Sequence, residues 1–193
     1  MNTSTLLDEY EIDADAADLA TADSDAEETS FNPIEQLWVL RSCVLRGGTN
    51  HLIGDYDYET GSVARALGLK AFDQYAGKKA IAKAIGQLHR KAEKKWAQAR
   101  VEEPLRSNVE KLAQLLQLNE VDCRILELAI CLHSNSSLDS ALTIDSLKVM
   151  RSSLPHICSQ LLSLPIKQTQ AALRKMGRLV QSGLIKLDAW GES

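Results

Sequence analysis

The chain is poor in aromatic residues and contains no long apolar run. Two Phe, three Trp and four Tyr are present among 193 residues, so the apolar mass is mainly Leu, Ala and Ile, which favours helices. No segment approaches the roughly 20 apolar residues that span a bilayer. The N-terminus also lacks the basic start and apolar centre of a secretory signal. These absences predict a mainly helical, cytoplasmic protein with no membrane segment and no membrane partner.

The cysteines are few and scattered, and no CxxC pair is present. They are Cys43, Cys123, Cys131 and Cys158. Three of them lie within apolar helical patterns, so buried, reduced thiols are expected. The pairs Cys131-x-His133 and His156-x-Cys158 contain metal-ligating residue types. Residues two apart point to nearly opposite sides of a helix, however, so neither pair predicts a zinc site.

Motifs that carry catalysis are also missing. Asp55, Asp57 and Glu59 are the only dense carboxylates outside the N-terminal segment, and their spacing is not that of an EF-hand. Gly77-Lys78-Lys79 lacks the upstream glycine and the preceding strand of a phosphate-binding loop. No nucleophile elbow and no clustered acid–base pair is found. The sequence therefore predicts no enzyme activity, no metal and no cofactor for this chain.

Charge divides the chain into an acidic start and a basic remainder. Residues 1–40 contain eleven Asp and Glu and no Lys or Arg, whereas residues 41–193 contain all 22 Lys and Arg with 15 Asp and Glu. Residues 1–30 have little to bury, which predicts a disordered acidic tail. Such a tail is either a solubilising leader or a competitor of nucleic acid for the basic surface.

Residues 70–100 predict a long basic helix. Nine Lys and Arg face two acids in this segment. An apolar stripe at three- and four-residue spacing supplies the buried side: Ala80, Ile81, Ala84, Ile85, Leu88, Ala92 and Trp96. The excess charge suits a phosphate backbone or another acidic surface, or it is only the solvated face of a helix that packs inward. The candidate contact residues here are Lys78, Lys79, Lys83, Arg90, Lys94 and Lys95.

Shorter helices are predicted on both sides of the basic one. Over residues 31–45, Asn32 is a candidate N-cap, Pro33 suits the first turn, and Leu37, Leu40 and Val44 form a stripe. Pro104 marks a break, which predicts a helical N-terminal domain over residues 31–103 and a second domain over residues 104–193.

Two amphipathic helices are predicted after Pro104. The first buries Leu112, Leu115 and Leu116. The second is capped by Asn119 and carries an apolar face of Val121, Ile125, Leu128, Ala129 and Leu132. Residues 134–137 predict a loop, and residues 141–152 a further short helix.

Residues 154–188 have the layout of a winged helix-turn-helix. A helix with Ile157, Leu161 and Leu162 is broken at Ser163-Leu164-Pro165. A second helix with Ala172, Leu173, Met176, Leu179 and Val180 then runs to Ser182-Gly183, and the alternating run 184–188 predicts a short C-terminal strand. The partner of that strand lies either near residues 142–144 or downstream.

The polar side of this second helix supplies further candidate contacts. Its residue types contact phosphates and base edges in proteins that bind nucleic acid. They are Lys167, Gln168, Thr169, Arg174, Lys175 and Arg178. The predicted fold class is therefore mainly α: a helical domain followed by a winged helix-turn-helix-like domain with a short C-terminal strand.

Residues 104–188 resemble the segment that precedes the ATPase module in a group of bacterial AAA-family ATPases. The resemblance is carried by Asn108, Leu112, Leu115, Leu116, Leu118, Ile125, Leu126, Leu128, Leu173, Leu179, Ser182, Gly183 and Leu184. The chain departs from the family in having no Walker A motif, no Walker B strand and no arginine finger. No ATPase residue can therefore be carried over, and ATP binding is implied only for a longer parent protein whose module would begin near residue 193.

The resemblance implies a non-catalytic N-terminal region that recognises a substrate or partner and delivers it to an ATPase ring. The partner would be a protein or a nucleic acid, and homo-oligomers would form through the downstream module. The alternative is a stand-alone winged-helix transcriptional regulator, with the helix over residues 166–181 in the major groove and the basic helix on phosphates. A third hypothesis is a structural adaptor whose charges have no specific partner.

Overall fold

The computed structural model describes residues 31–45, 67, 78–143 and 154–186, and this part of the chain is mainly helical. The described residues form α1 (Pro33–Leu45), α2 (Lys78–Trp96), α3 (Leu105–Leu116), α4 (Glu120–Ser134), α5 (Ser136–Thr143), α6 (Leu154–Leu162), α7 (Ile166–Ala172) and α8 (Arg178–Gln181). They contain no strand. None of the described helices combines the length and the apolar character needed to cross a membrane.

The helix α1 is a centre of the fold, in contact with α2, α5 and α6. The expected cap is present: the Asn32 side chain accepts the Glu35 N–H at 3.0 Å, and the Glu35 carboxylate accepts the Asn32 N–H at 3.1 Å. A helix that is apolar on nearly all sides must be covered on nearly all sides, and Leu37 and Trp38 are fully buried. The predicted stripe is wrong at Val44, which is exposed.

The helix α4 is a second centre, packed against α3, α5, α6, α7 and α8. Asn119 caps it as predicted, and Asp122 completes a capping box. The predicted core residues of α3 are partly wrong, because Leu115 is 79% exposed and Leu116 is 38% exposed. The residue that α3 buries is Val109. Leu115 lies about 120° around the helix from Val109, at about 100° per residue.

The predicted loop over residues 134–137 is also wrong. The helix α4 ends at Ser134 and α5 begins at Ser136, so a single residue separates them. The Asn135 side chain accepts the Leu138 N–H at 3.1 Å, and this bond starts the next helix at once. The predicted helix 141–152 overlaps α5 only up to Thr143, and the rest lies outside the described residues.

The predicted turn at Ser163-Leu164-Pro165 is confirmed, since it separates α6 from α7. The predicted continuous helix 166–181 is wrong: α7 ends at Ala172 and α8 begins at Arg178. The chain folds back so closely at Gly177 that a Cβ there would lie 2.1 Å from the Ala172 carbonyl oxygen. An uninterrupted helix would not bring these groups so close together.

Further predictions concern the last described residues of the chain. Met176, expected in the core, is 77% exposed because it lies in the break between α7 and α8. Gly183 has φ +73°, which confirms the left-handed glycine expected after the last helix. Residues 184–186 are not a strand, and residues 187–188 of the predicted strand lie outside the described residues.

Helices from both halves share one cluster of buried apolar side chains. Its members include Trp38 and Ile85 before residue 103 and Ile125, Leu162 and Leu179 after it. The division into domains at residue 103 stays a prediction. The acidic tail 1–30 and the carboxylate-rich loop with Asp55, Asp57 and Glu59 lie outside the described residues.

Candidate functional site

Four cations form a straight row along the outer side of α2. Lys79, Lys83, Arg90 and Lys94 are all exposed, and we call them the basic row. With Gly86 between the second and third, their spacing is four, three, four and four residues. An α-helix turns about 100° per residue, so these five positions stay within about 80° on the helix surface. At 1.5 Å per residue the row is about 22 Å long.

The opposite side of α2 faces the core. Ile85 and Ala92 are buried, and Ile81, Leu88 and Trp96 are partly buried against the same cluster. The predicted stripe is therefore confirmed at these positions, whereas Ala80 is exposed. Because the apolar side is committed to the interior, the cations can only point toward solvent. The described helix runs from Lys78 to Trp96, and residues 70–77 of the predicted helix lie outside the described residues.

A buried ion pair fixes the rotation of α2 on α1. The Arg41 guanidinium donates from Nε to Glu93 Oε1 at 2.7 Å and from Nη2 to Oε2 at 2.9 Å. Its remaining Nη1 donates to the Leu161 carbonyl oxygen at 2.6 Å. Arg41 is only 2% exposed, so one guanidinium ties α1, α2 and α6 together. A bidentate pair constrains direction as well as distance.

This pair also neutralises the only carboxylate of α2, whose side chain is 32% exposed. The Arg41 hydrogen bond lowers the pKa of the Glu93 carboxyl from 4.5, against the opposing effect of burial, so Glu93 stays ionised and engaged. His89 Nε2 lies 3.2 Å from Glu93 Oε1 on the same inner side. Among the described residues, no ion pair involves a member of the basic row.

A second ion pair holds the segment that follows α2. Arg100 donates from Nη2 to Glu127 Oε1 at 2.5 Å and from Nε to Oε2 at 3.3 Å. Glu127 on α4 is 1% exposed, and Arg124 Nε lies 3.9 Å from its Oε2. The pKa of Arg100 is raised by its hydrogen bond to Glu127. Arg100 contributes to the charge excess of residues 70–100. In the structure it bonds to Glu127 and holds the segment after α2 against α4.

Two further cations flank the basic row. Lys91 and Lys95 are exposed, and the Lys95 ammonium lies 5.3 Å from the centre of the Trp96 ring, within range of a cation–π contact. Lys91 was not among the predicted contact residues, although it belongs to the same charge run. Lys78 begins α2, and its side chain lies outside the described part of the chain.

The second predicted set of contacts lies on α7, α8 and the break between them. Lys167, Gln168, Arg174, Lys175 and Arg178 are exposed, but they do not share one helical face because α7 has only seven residues. The Arg178 guanidinium donates to the Gln117 carbonyl oxygen.

Thr169 is the clear exception in this set. Its exposure is 0%, and its hydroxyl donates to the Pro165 carbonyl oxygen at 3.1 Å. A contact between Thr169 and a partner is therefore excluded in this conformation. Thr169 is buried because α7 packs against α6 and α4. A polar residue therefore occupies a position that faces the core.

A groove of about 610 Å³ lies between the N-terminal turn of α4 and the α7–α8 segment, with Gln168, Met176 and Arg178 among its lining residues. The N-terminal turn of α4 is unfavourable for an anion, because the Asp122 carboxylate lies there and forms the capping box with Asn119. Glu120 adds a second negative charge to the same turn.

The thiols are internal. Cys43, Cys123, Cys131 and Cys158 are all buried and none forms a disulfide. Burial raises the pKa of the Cys123 thiol and raises that of Cys131 to about 12. Within the described residues no group of three or more His, Cys, Asp or Glu is placed to hold a metal ion.

Comparisons with known proteins do not identify a family for this chain. No protein-family model, no curated protein and no solved structure matches the chain.

Proposed function

We infer that this chain is the non-catalytic recognition region of a cytoplasmic AAA-type ATPase, and that it binds its partner through the basic row of α2. The main support for this binding surface is the arrangement of the four cations of the basic row. Four exposed cations lie in line on a helix whose only carboxylate is bonded to Arg41. Like charges in line repel one another and stabilise no fold, so the row suits an external acidic partner.

The AAA-type assignment rests on the resemblance of residues 104–188. Of the positions that carry it, Ile125, Leu126, Leu128, Leu173 and Leu179 are buried in the shared core, whereas Leu115 and Leu116 are exposed. Gly183 takes the positive φ that favours glycine. The buried positions and Gly183 are those that a common fold would constrain, and they support a winged-helix-like arrangement of α6, α7 and the following segment. ATP hydrolysis and ring assembly belong to a module downstream.

The alternative is a stand-alone winged-helix DNA-binding regulator. The exposed Lys167, Arg174, Lys175 and Arg178 favour it, because a helix-turn-helix reads DNA with this region. The break between α7 and α8 and the burial of Thr169 count against it. A recognition helix presents its contacts from one continuous face.

The native size of the polypeptide separates the two functions. Antibody raised against this chain is used to isolate the native protein from extracts of its source cells, and the captured band is sized and sequenced by peptide mass spectrometry. The proposal predicts one polypeptide well above 21.3 kDa that contains both this chain and a Walker A peptide. A band near 21.3 kDa that ends with these residues would overturn the AAA-type assignment and favour the regulator.

A further inference from the structure

The basic row can be assigned a partner from its shape and its surroundings. The row is linear, about 22 Å long at 1.5 Å per residue, and of one sign. Double-stranded DNA carries one negative charge per about 1.7 Å of axis, so a track of this length presents about 13 phosphate charges. Over this length the duplex therefore carries more phosphate charges than the row has cations.

A lipid surface is a poorer fit. A basic amphipathic helix binds a membrane by burying its apolar face among the acyl chains. The apolar face of α2 is already occupied, since Ile85 and Ala92 are buried in the protein core. The Arg41–Glu93 pair prevents the helix from rotating that face outward.

At the middle of the row, Arg90 reaches back toward Gly86, which carries no side chain. A Cβ at position 86 would lie 3.8 Å from Arg90 Nη1, so the guanidinium lies over the helix backbone at this point. The charge of Arg90 is thereby brought into the interval between Lys83 and Arg90, and the row carries positive charge along its whole length.

We propose that the basic row of α2 lies along the phosphate backbone of double-stranded DNA and binds it without reading its sequence, an inference that rests on the proposed function of this surface. Three of the four cations are lysines, which act as point charges toward phosphate. The row contains no Asn or Gln, the residue types that pair with the adenine edge. Binding is accordingly electrostatic, uniform across sequences and sensitive to salt.

The test is a salt titration with the full chain. Fluorescence anisotropy of two labelled duplexes of unrelated sequence is measured between about 50 and 200 mM salt. Four phosphate contacts predict a slope of log affinity against log salt of about −3.6, which is a loss of roughly 150-fold over this range. The two duplexes should bind with the same affinity. Absence of binding at low salt, or a tenfold preference for one sequence, overturns the inference.

Three matched variants locate the contact. The row variant carries Lys79→Gln, Lys83→Gln, Arg90→Gln and Lys94→Gln, and it should lose the salt-dependent binding while retaining the native circular dichroism spectrum. The second variant removes the same charge from the other surface: Lys167→Gln, Arg174→Gln, Lys175→Gln and Arg178→Gln. It should keep the slope of the unchanged protein.

The third variant, with Lys79→Arg, Lys83→Arg and Lys94→Arg, keeps the charge and should bind as the unchanged protein does. If the α7–α8 variant loses binding and the row variant keeps it, the row is not the contact. Poly-glutamate of equal charge is the competitor that tests for a protein partner. If it displaces the duplex at equal charge concentration, the partner is an acidic polypeptide and the inference fails. A negative result here leaves the native-size test of the AAA-type assignment unaffected.

Discussion

Replacing Glu93 by Gln tests whether the position of the basic row depends on one buried ion pair. The substitution keeps the size and one acceptor oxygen but removes the charge that compensates Arg41. The Arg41 guanidinium is 2% exposed, so it would remain in the interior without a counter-ion. Breaking a buried pair at one partner costs about 3–5 kcal/mol. The Glu93 side chain is 32% exposed, and water screens it in part, so we expect a loss of about 2–3 kcal/mol.

The assay is urea unfolding followed by tryptophan fluorescence, for which the fully buried Trp38 is a suitable reporter. The control is Glu110→Gln. Glu110 accepts from Arg106 Nε at 3.1 Å on the surface of α3, and the two side chains are 55% and 49% exposed. That pair should contribute less than about 0.5 kcal/mol. Equal effects of the two substitutions would refute the claim that Arg41 and Glu93 hold α2 in place.

The same substitution has a defined pH dependence. The pKa of Glu93 is lower in the folded protein than its ordinary value of 4.5, so the carboxylate stabilises the folded state above pH 4.5. This contribution is lost as the pH falls through the folded pKa. The difference in unfolding free energy between the unchanged protein and Glu93→Gln should be constant near neutral pH and shrink below pH 4.5. A difference that grows on acidification would contradict the assigned charge state.

Four further predictions address other parts of the molecule. Thr169→Val should lower the unfolding free energy by about 1 kcal/mol through loss of a buried hydrogen bond, and it should leave duplex affinity unchanged; a fall in affinity would make Thr169 a contact. Gly177→Ala should destabilise by more than about 2 kcal/mol because its Cβ has no room, whereas Gly86→Ala should stabilise α2 by about 0.5–1 kcal/mol; both variants are measured by thermal melting, and a Gly177→Ala variant as stable as the unchanged protein, or a destabilised Gly86→Ala variant, would be evidence against the geometry of that site. Cys131, with its pKa raised to about 12, should resist alkylation at pH 8 until urea unfolds the chain, as followed by mass spectrometry; rapid labelling of the folded protein would show that the thiol is accessible. Neutralising the ten carboxylates of residues 1–30 to amides should raise duplex affinity if they compete for the basic row, and an unchanged affinity would leave them without that role.

Local signals in the sequence predicted the starts of helices well. The Asn32 and Asn119 caps are both confirmed, because a capping side chain acts on N–H groups only two or three residues away. Gly183 was likewise predictable, since the left-handed conformation after a helix strongly favours glycine. The core side of α2 followed from periodicity, because Ile85 and Ala92 recur at the spacing that returns to one face.

These local signals could not predict features that depend on tertiary contacts. The break between α7 and α8 depends on a close approach of Gly177 to Ala172. The three- and four-residue spacing of apolar residues continues across the break, so the sequence pattern does not indicate that the helix is interrupted. The burial of Thr169 depends on how α7 lies against α4 and α6. Arg100 was counted in the charge excess of residues 70–100, and nothing within that segment indicates that it would bond to Glu127, 27 residues later.

The sequence by itself determined the helical class, the charge excess of residues 70–100 and the four-, three-, four- and four-residue spacing of the basic row. These properties depend on composition and on the fixed geometry of a helix. Only the tertiary structure decided that the row faces solvent and that the single carboxylate of α2, Glu93, is neutralised by Arg41. That outcome requires Arg41 of α1 to meet Glu93 across 52 residues of chain, and the geometry of a single helix cannot specify which distant partner covers which side.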